Sequence, residues 1–178
     1  MKLLPFAPSS QSAEIQMEAQ IEMQPQGFLI TFELSGPGVA SVLLSPKNEK
    51  PSRKNDLWKE TCFECFFGVG HSKEYFEFNG SPSGDWALYA FQQYRDGMKE
   101  VVLNPVDSPI LLKCEKSADY LCCVWRVPYF STAILQNASL TAVLKTGPGA
   151  ADVSYWASKH AGAKPDFHLR ESFIHRLF

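Results

Sequence analysis

Residues 58–86 read W-K-E-T-C-F-E-C-F-F-G-V-G-H-S-K-E-Y-F-E-F-N-G-S-P-S-G-D-W. Side chains alternate between the two faces of a strand, so parity sorts this stretch. Residues 61–69 predict one strand, with Phe63, Cys65, Phe67 and Val69 on a core face and Cys62, Glu64 and Phe66 opposite. Residues 74–80 predict its partner across Gly70-His71-Ser72, with Phe76 and Phe78 inward and Tyr75, Glu77 and Asn79 on the other side. The Gly/Pro/Ser turn at 81–85 then leads into Trp86.

Working outward, the same strand signals recur between turn residues. Strands are expected over 11–23, 28–34 and 39–44, and a polar, twice Pro-broken exposed loop over 45–55. Residues 86–94, apolar on both sides, read as a central strand. Residues 109–114 and 120–127 form a further pair about a turn at 116–119. A short helix or helical turn is expected over 128–135. Strands at 140–146 and 151–156 flank Gly147-Pro148-Gly149, and the tail after Pro165-Asp166 ends in a strand over 172–178. About ten short strands with little helix predict an all-β fold, an antiparallel β-sandwich of the jelly-roll type with one short helix. The 178 residues are expected to form one domain, 1–178, with a core that needs neither metal nor disulfide.

A formal charge of −2 argues against a nucleic-acid or polybasic membrane surface. No apolar run reaches the ~18–20 residues of a membrane-spanning helix. The first ten residues lack a secretory signal's long apolar segment and cleavage site. Five cysteines, four of them inside strand-like apolar runs, read as buried reduced thiols in a cytoplasmic protein. Cys62 and Cys65 spell C-x-x-C, but on a strand they face opposite ways, and no second pair completes a metal set.

Glu64, Glu77 and Asn79 share a parity with Tyr75, and solvent alone does not select rings beside carboxylates. Arg126 and Trp156 are expected on the same surface. Flat rings stack on the apolar C–H faces of a pyranose, while carboxylate and amide groups hydrogen-bond its hydroxyls. The pattern predicts a non-catalytic surface for a carbohydrate or similar polyol. The same aromatic face would also suit docking of a partner protein.

The runs L-W-K-E-T-C-F-E-C-F-F at 57–67, Y-F-E-F-N-G-S-P-S-G-D-W-A-L-Y at 75–89, Y-R-D-G-M at 94–98 and Y-W-A-S-K-H-A-G-A-K-P-D-F-H at 155–168 resemble DOMON-like domains related to carbohydrate-binding module family 9. They are most similar to the small bacterial stand-alone members. The resemblance implies a jelly-roll sandwich with a ligand site on one face or rim, where two tryptophans clamp a sugar beside an acidic residue. Trp58 with Glu64 matches the first half of that pattern, and Trp156 falls near the second. The expected ligand-binding residues are therefore Trp58, Glu64, Glu77, Asn79 and Trp156, with Trp86, Arg95 and His160 at the margin. Other relatives bind haem through Met and His, for which Met98 and His160 would be the pair. No C-x-x-C-H attachment motif accompanies them, so neither cofactor nor metal is expected.

Overall fold

The two central strands run over Cys62–Val69 and Tyr75–Gly80, paired antiparallel with Glu64 opposite Asn79 and Phe66 opposite Glu77. They are β4 and β5 of twelve strands in this computed structural model, which describes residues 1–9, 12–104, 106–149 and 152–177. Before them come β1 (Lys2–Pro5), β2 (Gln16–Gln24) and β3 (Gly27–Ser35). After them come β6 (Trp86–Phe91), β7 (Lys99–Glu100), β8 (Ile110–Lys116) and β9 (Tyr120–Val127). The chain closes with β10 (Leu135–Lys145), β11 (Val153–Ala157) and β12 (His175–Arg176).

All pairings are antiparallel, and they link the strands into one path: β7-β6-β5-β4-β10-β11-β1-β2-β3-β9-β8, with β12 beside β10. The four-residue β1 is the seam, pairing β11 through Leu4 and Ala157 and β2 through Leu3 and Met17. The sheet is a strongly curled half-barrel, and rings from its two ends meet inside. Phe32 packs on Phe63 and Phe28 on Phe67, both at 4.9 Å between centroids, and Phe78 meets Trp125 at 5.4 Å. Gly80 is required here, because a Cβ would lie 2.6 Å from the buried Trp125 indole.

The opposite face of β4, β5, β6, β10 and β11 is also covered. Phe66, Tyr75, Tyr89, Phe91 and Val143 form a second apolar cluster there, capped by Phe167 and Phe173 from the C-terminal tail. A solvated outer face would leave Glu64, Glu77 and Asn79 in water; instead they are 2%, 7% and 1% exposed.

Several expectations need correction. No helix forms over 128–135, where Phe130 instead packs on Phe67 and Phe76 and leads into β10. The only helical turns among the described residues are 3₁₀ turns of three to five residues. Residues 39–44 are a 3₁₀ turn, Pro37–Ser41, and an irregular exit. The 45–55 segment is an exposed loop as expected, and it is also fastened down: Asn48, Ser52 and Lys54 all donate to the buried Asp85 carboxylate at 2.7–3.1 Å. Gln11, Ala151 and Phe178, expected at strand ends, lie outside the described residues.

Candidate functional site

The covered face is open at one end as a cleft of about 930 Å³. Its floor comes from alternate residues of adjacent strands: Glu64 and Phe66 on β4, Glu77 on β5, Tyr89 and Phe91 on β6, and Val143 on β10. Register puts Tyr89 directly opposite Glu77 and Phe91 opposite Tyr75. Trp58, Tyr155, Phe167 and His168 form walls, with Arg95, Met98 and Lys164 among the residues around them.

Trp58 sits on the 3₁₀ turn Leu57–Lys59 that precedes β4. Asp56 enters this turn at φ 61°, and its carboxylate holds Lys59 at 2.8 Å. Glu60 pairs with Lys145 of β10 at 2.7 Å, so the turn is fixed to the sheet. The indole is left 48% exposed. The other three tryptophans are 0–6% exposed, which makes Trp58 the accessible one.

The floor is polar and dry. Thr141 Oγ1 donates to Glu64 Oε2 at 3.1 Å, and Asn79 Nδ2 donates to Glu77 Oε1 at 2.7 Å. Cys62 Sγ donates in turn to Asn79 Oδ1 at 3.8 Å. Burial, reinforced by the neighbouring Glu77 charge, pushes the Glu64 carboxyl up to about 8. Burial also raises Glu77. At neutral pH Glu64 is therefore chiefly a carboxylic acid, able to donate as well as accept.

His168 is a neighbour of the floor that the expected set of ligand-binding residues did not include. Arg95 N–H donates to Tyr75 Oη at 3.1 Å, and Tyr75 Oη lies 2.8 Å from His168 Nδ1. The other ring nitrogen, Nε2, lies 3.9 Å from Glu77 Oε2. Burial, with a contribution from Arg95, lowers His168 to about 4, so it is neutral among Phe66, Tyr75 and Phe91. Arg95 itself takes φ 51° and pairs with Asp166 at 3.1 Å. Asp166 also accepts from Tyr94 Oη at 2.6 Å, which ties the 92–98 loop to the tail.

Of the residues singled out from sequence, the cleft gathers Trp58, Glu64, Glu77 and Arg95, with Asn79 beneath Glu77. Trp156 is elsewhere: it is 1% exposed in the inner core, and its strand neighbour Tyr155 lines the cleft. Trp86 is likewise an inner-core ring, with the Arg53 guanidinium 4.5 Å above it. Arg126 lies on β9 in the other part of the curl, bonded to Gln26 at 3.4 Å. His160 is not itself a lining residue: its ring lies 6.4 Å from that of Phe167, and its Nε2 is 2.8 Å from the Leu4 carbonyl. Met98 reaches the cleft and His160 does not, so the two are not gathered about one position. Among the described residues no group of three His, Cys, Asp or Glu side chains is placed to hold a metal. Sequence could have found Tyr89 and Phe91, which share the parity of Glu77 once β5 and β6 are put in register. A smaller depression of about 480 Å³ lies beside Asp85, a carboxylate already taking four donors.

No family model matches the chain, and no curated protein matches it by sequence. Among solved structures it is similar to a protein from Bacteroides uniformis ATCC 8492 named a "putative carbohydrate-binding protein". The TM-score is 0.57 at 11% identity, covering 96% of this chain and 83% of that one. The likeness is one of fold.

Proposed function

We propose that this chain is a non-catalytic binding module for a carbohydrate or similar polyol, with its ligand in the Trp58–Glu64–Glu77 cleft. In this reading the curled sheet is a jelly-roll sandwich of the DOMON-like group related to carbohydrate-binding module family 9, working in a bacterial cytoplasm. The observation that carries it is the pairing of one exposed indole with a dry floor of hydrogen-bonding carboxyls in a ring-lined cleft. Trp58 stacks on a sugar face. Glu64 and Glu77 take its hydroxyls, one as donor and acceptor, with Asn79 holding Glu77 in place. Tyr155 stands where Trp156 was expected, as the second ring. The name of the Bacteroides neighbour supports the same reading.

Stacking plus a few hydrogen bonds in an open cleft gives affinities on the order of micromolar to millimolar. Titration calorimetry over a panel of mono- and disaccharides tests the proposal. The expected result is saturable binding by one member or more, weakened at least about tenfold by Trp58→Ala, in line with the loss of a stacking ring. Binding that is undiminished in Trp58→Ala, or no binding across the panel, contradicts it. A second reading has a specific observation behind it: Trp58, Tyr94 and Met98 are 48%, 52% and 60% exposed near the same mouth. Capture of a stoichiometric partner protein that covers Trp58 would favour docking over sugar binding.

A further inference from the structure

Glu64 and Glu77 are two buried carboxyls facing one cleft with no Lys or Arg in contact with them, the Arg95 charge acting on Glu77 only from a distance. Every Lys and Arg that lines the cleft is committed elsewhere or lies in solvent. Arg95 is paired with Asp166, and Lys164 is exposed on the tail loop. The neighbouring Asp56 is already matched by Lys59. His168 presents a neutral ring, 3.9 Å from Glu77. Glu64 accepts from Thr141 through Oε2 and has the Cys62 thiol as a second hydrogen-bond neighbour, while Glu77 accepts from Asn79 through Oε1. Both carboxyls line the cleft together with the rings of Trp58, Tyr89, Phe91 and Tyr155. A buried carboxylate pair is stable in its ionised form only when a cation joins it. Aromatic faces are themselves favourable surroundings for a desolvated ammonium.

Resting on the polyol reading above, we infer that the preferred ligand is an amino sugar, a cyclic polyol whose protonated amine sits on the Glu64–Glu77 floor while its ring stacks on Trp58. The ammonium replaces the carboxyl proton as the charge partner. Binding therefore drives Glu64 towards its ionised form: for a ligand whose amine is already protonated, up to one proton is released to solvent at pH values between the lowered value of Glu64 in the complex and its free value of about 8. Neighbouring titratable groups oppose this little. Tyr75 and Tyr89 are raised to about 12 and stay neutral, and burial keeps the Cys62 thiol protonated.

The test is calorimetry with matched sugars, glucose against glucosamine and galactose against galactosamine, in two buffers of different ionisation heat. The amine-bearing member of a pair is expected to bind about tenfold more tightly, the scale of a charge-assisted contact. Its binding heat should shift between buffers, reporting the released proton. Glu64→Gln keeps the shape and an oxygen for Thr141, and whatever it does to the affinity for the neutral sugar, the affinity ratio within each pair should fall to about one and the proton release should vanish. Glu77→Gln should weaken the preference independently. Equal affinity for both members of each pair overturns the amine assignment and leaves the polyol reading standing. A preference that survives both Gln variants also overturns it, because the cation then sits elsewhere. No binding by any of the four sugars overturns the amine assignment, while the polyol reading falls only if the full saccharide panel also fails to bind.

Discussion

Glu64 concentrates the tension in this molecule, because it is a carboxyl left only 2% exposed at the floor of the cleft. Its ordinary value near 4.5 rises to about 8 on folding, so folding takes up a proton between those limits. Stability from this group is complete below pH ~4.5 and is lost as pH rises towards about 8. The raised Glu77 acts in the same direction. His168 acts oppositely: it falls from 6.5 to about 4, so its contribution is full above 6.5 and is lost as pH falls. Between pH ~6.5 and ~8 the Glu64 effect is unopposed by His168, and chemical denaturation should show stability declining across that window. Glu64→Gln should flatten the slope and be more stable at pH 8 by roughly 1–3 kcal/mol, the usual scale of a buried polar group's desolvation. A slope unchanged by the substitution would mean that Glu64 is ionised in the folded protein. The alternation that placed Glu64, Glu77 and Asn79 on one face was legible from parity alone. Their burial was not, because the apolar cluster on their face is completed by Phe167 and Phe173, about ninety residues away on a tail with no periodicity.

Elements were legible where alternation is long and fail where it is short or two-sided. The four-residue β1, ending in Pro5, carries too little pattern to read, yet it joins the two ends of the curl. In β11 parity separates Tyr155 from Trp156 but cannot say which set turns inward, since both sides are apolar. The register with β10 decides it: Val143 opposes Tyr155 on the cleft side, and Ala142 opposes Trp156 in the core. Close approach across the curl gives a sharp prediction at Gly80. Gly80→Ala puts a methyl 2.6 Å from a fully buried indole that has no room to yield. It should cost about 1–3 kcal/mol in thermal or denaturant unfolding, the range for overpacking. A cost near zero would mean that the two ends of the sheet are further apart than described. On β8 and β9, Cys114 and Cys123 are direct cross-strand partners with their sulfurs 2.9 Å apart. Mild oxidation by a diazene reagent, which accepts the two protons and two electrons, should join this pair and tie down the edge strand. Peptide mapping checks it. A Cys62–Cys65 link instead would contradict the opposite facing of those two side chains.

At the scale of the whole molecule, the curl makes two interiors from one sheet: a sealed core between its ends, and a cleft where the C-terminal tail crosses the outer face. The tail is held by Arg95–Asp166, by Tyr94–Asp166 and by Tyr75–His168, so the site depends on residues from both halves of the chain. Function then turns on whether a ligand enters between Trp58 and the carboxyl floor. Because Trp86, Trp125 and Trp156 are buried, acrylamide quenching of tryptophan fluorescence reads Trp58 in effect alone. One quenchable component is expected, absent from Trp58→Ala, that a bound sugar shields in a saturable way. Sugar binding demonstrated by calorimetry while Trp58 stays fully quenchable would contradict it.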